Sequence, residues 1–565
     1  MKIDNKKILI TCSLISSVFM GCSDLTDINN NPNSPDNSVN YNFQEAALGS
    51  VFRTSIPAID GDDEQRVKSL MVDFYGQIMD GGNFDTRYYM MNDDWNDRMF
   101  RRIQNNIANL NIVLRGMEEQ GEITSNARAV AMIWRVWVAS VGVDWFGPIP
   151  FANYEGEVLE NPPYLSAKDI YTQMFSELDK ANTLLSANNS YPIFNNSKYD
   201  IIFGNDKEKW RKFGNSLHLR LAMRLTEVDS DIAKTEAAKA VTAGIMANTA
   251  DNALLPPKSD GSWGADYNYT MFQITWGGPL NMTLTMEKLL TNIGGIDFPT
   301  SLLNERGGKT LSAVHPDKVD PRGPVMFDPA FSTGDWKGYP DGLNITKHKD
   351  LIADDYDSRN FAELGILYKN GAPYKTRPYD LFLYEETCFL KAEAALRGYI
   401  SGDPKTFYDD GVRASFSTWG IASMADSYLN STNKNIAGTS AKFDDNTGDF
   451  NTSGTGKGNT KLEKIITQKY IALFPDMSQE AWNDKRRLNL PRTEVALDRY
   501  TAIWPTYSNN IKDPSNYIKR VQYPNSELQG NAVEYKKGIE MLGGTDVVNT
   551  KIWWDKGINY CTSEK

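Results

Sequence analysis

Histidines and paired carboxylates are the side chains of this sequence whose types could do chemistry. The three histidines, His218, His315 and His348, are far apart and form no metal-ligand or catalytic spacing. The sequence contains no zinc-protease, serine-hydrolase or cysteine–histidine nucleophile motif. We therefore interpret His218, which lies within "NSLHLRLAMRL", as a helix-surface or packed residue.

Two acidic pairs, Asp93–Asp94 and Glu385–Glu386, are the remaining candidates for catalysis. A glycosidase needs two carboxyl groups about 5 to 9 Å apart across a cleft. Adjacent residues in a helix or a strand point in different directions, so neither pair meets this need by itself. Two distant acids that converge in the fold are an alternative, but no pattern marks them. The sequence therefore predicts no catalytic residue.

Two glycine-containing loops match ligand-binding motifs only in part. In "SGTGKGNT", Gly458 follows Lys457 where a phosphate-binding loop needs Ser or Thr. In "DDNTGDFN", from Asp444, the glycine is misplaced for a calcium-binding loop. We therefore predict no cofactor and no metal site.

Aromatic side chains among polar ones favour binding over catalysis. Sugar rings present apolar C–H faces rimmed by hydroxyl groups, so a sugar site combines flat aromatic rings with Asn, Asp, Gln or Arg. Three segments, 80–97, 261–278 and 334–342, carry this mixture. The alternative is that each aromatic side chain packs its loop onto the core, and it is strongest for Trp95, at the start of the next helix. The predicted ligand-binding residues are Asn83, Phe84, Arg87, Tyr88, Tyr89, Trp95, Trp263, Tyr267, Trp276 and Trp336.

The N-terminal segment has the pattern of a lipoprotein export signal. Three lysines precede the apolar run "ILITCSLISSVFM", which is shorter than the roughly 20 residues that span a bilayer. Gly21-Cys22 fits a lipoprotein cleavage site, in which the cysteine thiol receives a lipid. Each acyl CH₂ buried in the membrane contributes about 0.8 kcal/mol to anchoring. A buried first helix is the weaker alternative, because the polar residues after Cys22 could pack nothing. We predict a signal peptide over 1–21, lipid attachment at Cys22 and a flexible tether over 22–40.

The charge balance argues against a nucleic-acid partner. Sixty basic residues against 72 acidic ones give a net charge of −12, whereas phosphates need clustered Lys and Arg. The short basic run Lys485-Arg486-Arg487 is interpreted as a helix end paired with carbonyl groups. Two of the four cysteines, Cys12 and Cys22, belong to the N-terminal segment, so no disulfide framework or zinc site is indicated.

Apolar residues recur every three or four positions along much of the chain, which is the spacing of amphipathic helices. Successive helical hairpins suggest stacked pairs of the tetratricopeptide kind, although no strict 34-residue repeat is present. Ser166 and Asp169 resemble a capping pair at the start of one helix. Helices are predicted near 44–54, 98–119, 126–141, 166–185, 208–226, 231–244, 282–291, 379–397, 404–417, 459–474 and 478–486. Long loops are predicted over 76–95, 144–165, 250–278, 292–375, 420–458 and 490–550.

Ordered sequence blocks extend over nearly the whole chain. The most specific passage is "EETCFLKAEAALRGY" (385–399), followed by "FYDDGVRASFSTWG" (407–420). The other blocks are "DWFGPIPF" (144–151), "KWRKFGNSLHLRLAMRL" (209–225), "DPR" (320–322), "WKGYPDG" (336–342), "KIITQKYIALF" (464–474), "EAWNDKRR" (480–487), "RVQYPNSE" (520–527) and "TKIWWD" (550–555). Together they resemble the SusD/RagB family of nutrient-binding outer-membrane lipoproteins, and specifically its second SusD-like branch.

This resemblance implies a mainly α fold, a single domain over 41–565, in which about four tetratricopeptide-like helix pairs support a loop-rich ligand-binding face. It implies a non-catalytic lipoprotein of the outer membrane that faces the cell exterior. Such a protein captures oligosaccharides and delivers them to a SusC-like TonB-dependent transporter. Asp24 and Asp27, just after the lipid attachment site, fit surface-exposed members of the family. A peptide-capturing member of the family is the nearest alternative, and a surface glycoside hydrolase is a more distant one.

Overall fold

Helices form most of the protein in the computed structural model, which describes residues 37–59, 61–81, 84–152, 154–156, 162–256, 280–304, 314–344, 346–348, 360–365, 377–450, 458–504, 513, 515 and 517–561. The main helices are α1 (Asn37–Thr54), α2 (Asp93–Glu119), α3 (Ser125–Phe146), α4 (Ala167–Ser186), α5 (Lys207–Arg224), α6 (Ser230–Ala243), α7 (Leu284–Leu290), α8 (Tyr384–Leu396), α9 (Pro404–Thr418), α10 (Lys461–Ala472), α11 (Ser478–Leu488) and α12 (Ala532–Leu542). A π-helix over Glu64–Val72 continues into a short α-helix over Asp73–Gly76 between α1 and α2.

Caps and apolar stripes determine where these helices form. At the start of α2, the side chain of Asn92 accepts a hydrogen bond from the backbone N–H of Trp95 at 3.3 Å. The apolar stripe predicted for this helix is buried, and Leu110 is fully inaccessible. At the start of α4, the hydroxyl of Ser166 accepts from the backbone N–H of Asp169 at 3.1 Å, which confirms the predicted cap.

The helices α1 to α6 pack in chain order, each on the next. This stacking of helix pairs confirms the predicted tetratricopeptide-like architecture. The segment Gly121–Phe146, which contains α3, is long and apolar enough to cross a membrane, but 89% of its most apolar window is buried within the protein. It is therefore the core helix of this stack, and it is longer than the predicted helix 126–141.

The second half of the chain adds α8 to α11 against this stack. The helix α8 packs on α9, on α10 and on α5. Small residues permit the close approach, because Ala392 and Ala394 of α8 are fully buried. Opposite them, a Cβ on Gly411 of α9 would lie 2.7 Å from the ring of Phe389. A larger side chain at Gly411 would separate the two helices.

A buried polar network holds the two halves together at the end of α3. The carboxylate of Asp144 accepts hydrogen bonds from the Tyr171 hydroxyl and the Trp554 indole, both at 2.9 Å, and from the Asn483 amide at 3.0 Å. It also lies 3.4 Å from the guanidinium of Arg224. Every one of these groups is on a different element, so Asp144 fixes the docking of α11 and the C-terminal segment.

The basic run at the end of α11 belongs to the same interior. Arg486 donates to the backbone carbonyls of Asp144 at 2.7 Å and Lys519 at 2.8 Å. Lys485 donates to the carbonyl of Pro491 at 3.1 Å. The interpretation of this run as a helix end paired with carbonyl groups is confirmed for Lys485 and Arg486, whereas Arg487 pairs with the carboxylates of Glu393 and Asp484.

Short strands tie the irregular loops to the helices. One sheet has the order β1 (Met79–Asp80), β5 (Asn281–Met282), β9 (Glu363–Leu364) and β8 (Phe327–Asp328). Two-stranded sheets pair β2 (Ile149–Pro150) with β3 (Tyr164–Leu165), β4 (Ala253–Leu255) with β10 (Tyr379–Phe382), and β6 (Thr291–Asp297) with β7 (Lys318–Val319). The fully buried Arg322 donates to Asp320, to Ser415 of α9 and to Gln468 of α10, which anchors the central loop segment on the second set of helices.

Some predicted boundaries differ from the structure. The predicted helix 379–397 begins as the strand β10, because a short apolar run does not distinguish a strand from a buried helix. The predicted loop 490–550 contains a short helix over Asn525–Gly530 and α12. The helix α12 has a weak apolar signature, since Val533 and Met541 are exposed. The helix α1 begins at Asn37, which places the end of segment 22–40 in a helix.

Candidate ligand-binding site

The segment 84–95 leads from the first sheet into α2 and carries several predicted ligand-binding residues. Asp85–Tyr88 forms a 3-10 turn, and Tyr89 then adopts a left-handed backbone conformation with φ of 70°. Together these turns reverse the chain direction before the cap of α2. As a result, the ring of Phe84 lies beside Trp95 in the first turn of α2.

Phe84 and Trp95 line an open cavity of about 360 Å³. Their ring centroids are 5.8 Å apart and their planes are inclined by 49°. Both rings are largely covered by the core, because Phe84 is partly buried and Trp95 is 9% exposed. The remaining lining residues are Gln65, Arg66, Leu70, Asp94 and Arg98. These seven residues form the aromatic cavity.

The polar groups of the aromatic cavity suit a ligand that bears hydroxyl groups. Arg98 lies 3.1 Å from Asp94, and this hydrogen bond raises the pKa of Arg98 above its ordinary value. Arg66 pairs with Asp62 at 3.0 Å. The cavity thus combines two ring faces with charged donors and a carboxylate acceptor, which is the mixture that sugar binding requires.

Arg87 does not line the aromatic cavity. It is buried, its guanidinium lies 2.7 Å from Asp80, and it donates to the Tyr339 hydroxyl at 2.9 Å. Burial by itself would lower the pKa of Arg87, but the charge of Asp80 and the hydrogen bonds to Asp80 and Tyr339 together raise that pKa. The guanidinium also lies over the rings of Tyr339 and Phe74. Arg87 therefore joins the segment 84–95 to the central loop segment that contains Tyr339.

Tyr88 and Tyr89 lie on opposite sides of the same turn. Tyr88 is partly buried, and burial together with a hydrogen bond to Asp85 raises its pKa. Tyr89 is 2% exposed and packs against Tyr75 and Trp504, with centroids 6.2 and 5.6 Å away. Tyr89 thus supports the turn from within the core.

Trp336 is also an interior residue. It is 3% exposed and packs edge-on against Phe298, whose ring is stacked on His315. This position corresponds to the packing alternative considered for aromatic loop residues. The remaining predicted residues, Asn83, Trp263, Tyr267 and Trp276, lie outside the described residues, as does the predicted lipid attachment site Cys22.

His218 joins a small cluster of charged groups. Its Nε2 lies 2.7 Å from Glu236, its Nδ1 lies 3.9 Å from Asp179, and its ring is stacked on Phe175. The three ionisable groups are close enough to hold a metal ion. However, the two carboxylates face different ring nitrogens, and the ammonium of Lys239 lies 2.9 Å from both. His218 is therefore packed and paired, which agrees with its interpretation from the sequence.

The acidic pairs do not converge on a common centre. Glu386 receives two hydrogen bonds from Arg220, at 2.9 and 2.6 Å. Glu385 points elsewhere and accepts from Thr418 at 3.0 Å, and burial raises its pKa to about 7. Asp93 and Asp94 are both exposed at the start of α2.

The arginines beside the aromatic cavity were not among the residues predicted from the sequence. Arg98, Arg101 and Arg102 lie on one face of α2, as residues three and four positions apart do in a helix. The spacing alone could have revealed this basic face. The sequence could not show that these three arginines line a surface depression to which α1 contributes Arg53.

Two family models match consecutive parts of the chain. A SusD-like model, described as starch-binding and associating with the outer membrane, matches residues 44–291. A second model, described as SusD and RagB outer-membrane lipoprotein, matches residues 308–555. No curated protein matches the chain.

Several solved structures have the same fold as this chain. A SusD homologue from Parabacteroides distasonis is 50% identical, with a TM-score of 0.85 over 92% of this chain and 100% of that one. A chitin-binding SusD homologue from Flavobacterium johnsoniae is 24% identical, with a TM-score of 0.70 over 91% of this chain and 99% of that one. A SusD homologue from Bacteroides vulgatus is 22% identical, with a TM-score of 0.67 over 88% and 93% of the two chains.

Proposed function

The chain belongs to the SusD-like family of outer-membrane lipoproteins, and from this premise we propose that it is a non-catalytic surface protein that captures oligosaccharides. In this proposal the lipid on Cys22 anchors it in the outer membrane facing the cell exterior. The bound oligosaccharide is then delivered to a SusC-like TonB-dependent transporter, with the helix pairs as the surface that meets the transporter. The solved structure of a chitin-binding relative supports a carbohydrate ligand.

The observation that carries this proposal is the aromatic cavity. Two inclined rings line it, Trp95 in the first turn of α2 and Phe84 just before the 3-10 turn, and Arg66, Asp94 and Arg98 surround them. Rings fixed by the core can stack on a sugar face without a large loss of side-chain entropy on binding. The surrounding polar groups can then select the positions of the hydroxyl groups.

The hydrogen bonds of Glu385 and Glu386 are consistent with binding that does not cleave the ligand. Glu386 is engaged by Arg220, and the buried Glu385 accepts a hydrogen bond from Thr418 at the end of α9. Incubation of the purified protein with its glycan should release no reducing sugar. Release of sugar that a single carboxylate substitution abolishes would instead support the glycoside hydrolase.

Isothermal titration with a panel of neutral oligosaccharides, including chitin fragments, tests the binding role. Trp95→Ala should weaken the binding of the best ligand about tenfold, the order expected when one aromatic contact is lost. Trp553→Ala is the control, because Trp553 is a tryptophan packed against the same core that contacts Tyr171, away from the cavity. Thermal unfolding of each variant monitors folding, and Phe84→Ala provides an independent change in the same cavity.

The outcome also locates the site relative to the other loops. Full affinity in Trp95→Ala and Phe84→Ala, with loss in Trp263→Ala or Trp276→Ala, would move the site to segment 261–278. Mass spectrometry of the material that co-purifies with the protein and its transporter distinguishes a glycan from a peptide ligand. Peptides alone in that material would overturn the choice of oligosaccharide.

A further inference from the structure

A second depression adjoins the aromatic cavity and has a different character. It has a volume of about 710 Å³ and lies between the end of α1 and the first half of α2. Its lining residues are Arg53, Thr54, Asp63, Asp94, Arg98, Arg101, Arg102, Asn105, Asn106 and Asn109. These ten residues form the arginine groove. Among its described lining residues, four are arginines and two are aspartates.

Both aspartates of the groove form ion pairs with two of its arginines. Asp63 lies 3.2 Å from Arg98 and also pairs with Arg102, and Asp94 lies 3.1 Å from Arg98. These contacts fix the guanidinium groups of Arg98 and Arg102 at the base of the arginine groove. They also leave the groove with an excess of positive charge.

The other two arginines are at the exposed side of the groove. Arg53 is exposed and makes no ion pair with the described residues. Arg101 pairs with Asp97, but 65% of its side chain is exposed. Both guanidinium groups can therefore turn towards an incoming anion. This concentration of positive charge contrasts with the chain as a whole, whose net charge is −12.

The arginine groove and the aromatic cavity share a border. Asp94 and Arg98 line both, and 35% of the Arg98 side chain is exposed between them. Asn105 and Asn109 extend the groove along α2 with exposed amide groups, which can both donate and accept hydrogen bonds. A ligand could thus place one ring against Phe84 and Trp95 and its next unit in the groove.

We propose that the arginine groove is a subsite for the carboxylate or sulfate group of an acidic oligosaccharide, whose neighbouring ring occupies the aromatic cavity. This inference rests on the proposed oligosaccharide-binding function and specifies its ligand class. A guanidinium presents a planar fork of donors that matches the geometry of a carboxylate or sulfate group. Amide groups beside the arginines serve the hydroxyl groups of the same sugar.

Polymers whose charge is carried by phosphate are a poorer match. Nucleic acid needs many clustered cations along an extended surface, and the acidic remainder of this chain repels it. A single acidic sugar unit requires only the local excess of charge that the arginine groove provides.

Matched pairs of probes test this inference with the full chain. The first pair is an oligogalacturonide and the same oligosaccharide with its carboxyl groups reduced to alcohols. The second pair is a heparin-derived oligosaccharide and its desulfated form. In each pair, titration compares the affinities at 50 mM and 500 mM sodium chloride.

In at least one pair the acidic member should bind about tenfold more tightly at 50 mM salt. The difference in affinity should shrink at 500 mM, because at this salt concentration exposed charges are screened over a few ångströms. Arg53→Gln and Arg101→Gln should each weaken binding of the acidic member about fivefold, as expected for one exposed charge contact. The ratio of affinities within the pair then falls in both variants. Both residues are exposed, so these substitutions leave folding intact.

Arg413→Gln is the matched control, because Arg413 is a half-exposed arginine of α9 that pairs with Asp426 elsewhere on the surface. It should leave the ratio unchanged. Equal binding of both members of each pair at low salt overturns this inference but leaves the proposed function in place. An unchanged ratio in Arg53→Gln and Arg101→Gln overturns it as well. Failure of every neutral and acidic oligosaccharide to bind overturns the proposed function and this inference with it.

Discussion

Glu64 is a buried carboxyl group whose proton should make the stability of this protein depend on pH. It begins the π-helix over Glu64–Val72 and is fully inaccessible. Neither of its carboxyl oxygens has a hydrogen-bond partner among the described residues. The nearest cation, Lys68, lies 3.9 Å away and donates instead to Asp73 at 3.0 Å. Burial therefore outweighs the attraction of Lys68 and raises the pKa of Glu64 to about 8.

The direction of the effect follows from proton binding. In the unfolded chain Glu64 loses its proton near pH 4.5, whereas in the folded protein it keeps the proton up to about pH 8. Between these values the folded state binds more protons, so stability falls as the pH rises. Each pH unit in this window changes the free energy of unfolding by about 1.4 kcal/mol. From pH 5 to pH 7 the loss is therefore about 3 kcal/mol.

Glu64→Gln removes this dependence, because glutamine is nearly isosteric and carries no titratable proton. Relative to the unmodified protein, the variant should gain about 3 kcal/mol between pH 5 and pH 7. With an unfolding entropy of roughly 2.1 cal/mol/K per residue, this gain corresponds to about 2 to 3 °C in Tm. Differential scanning calorimetry at pH 5, 6, 7 and 8 measures it.

The exposed Glu119 at the end of α2 provides the control. In Glu119→Gln, the difference in Tm from the unmodified protein should stay constant over this pH range. A difference for Glu64→Gln that is independent of pH, or that shrinks towards pH 8, would refute the reasoning. Either result would mean that Glu64 is ionised in the folded protein.

Two further substitutions probe the docking of the elements that support the site. Asp144→Ala removes the buried acceptor of Tyr171, Trp554 and Asn483, and each such group costs about 1 to 3 kcal/mol when it is left unsatisfied. The free energy of unfolding, measured by urea denaturation, should therefore fall by about 3 to 5 kcal/mol. An unchanged midpoint would contradict the role of Asp144. Gly76→Ala would place a Cβ 2.6 Å from the backbone oxygen of Ser478 and should cost about 1 to 3 kcal/mol, whereas Gly530→Ala, with open space around it, should be nearly neutral. Equal denaturation midpoints for the two glycine variants would show that α11 can move away from Gly76.

Helices were predictable wherever an apolar stripe and a cap coincided. The stripe of α2 and the Ser166 cap of α4 are local features, so they could be read directly from residue spacing. The boundary at Tyr379 was not predictable, because this strand exists only through its pairing with Ala253–Leu255, more than 100 residues earlier. The helix α12 was not predicted, because its apolar side chains remain partly exposed.

Residue types in the loops identified candidates for the site but not their roles. Phe84 and Trp95 meet in one cavity because a turn and a helix cap place them together. Arg87, Tyr89 and Trp336 have equally suitable side chains, yet each is enclosed by groups distant in sequence. Composition cannot distinguish a ring that packs from a ring that binds, since both need the same apolar surface.

The family, the helical architecture and the types of side chain in the loops follow from local residue spacing and from blocks of residues that remain in order along the chain. Which side chains share a depression depends instead on how the helices pack. Arg53 and Arg98 belong to different helices, and the packing of α1 on α2 brings their charges into one groove. Such convergence depends on contacts between distant segments, which no short-range pattern in a single sequence encodes.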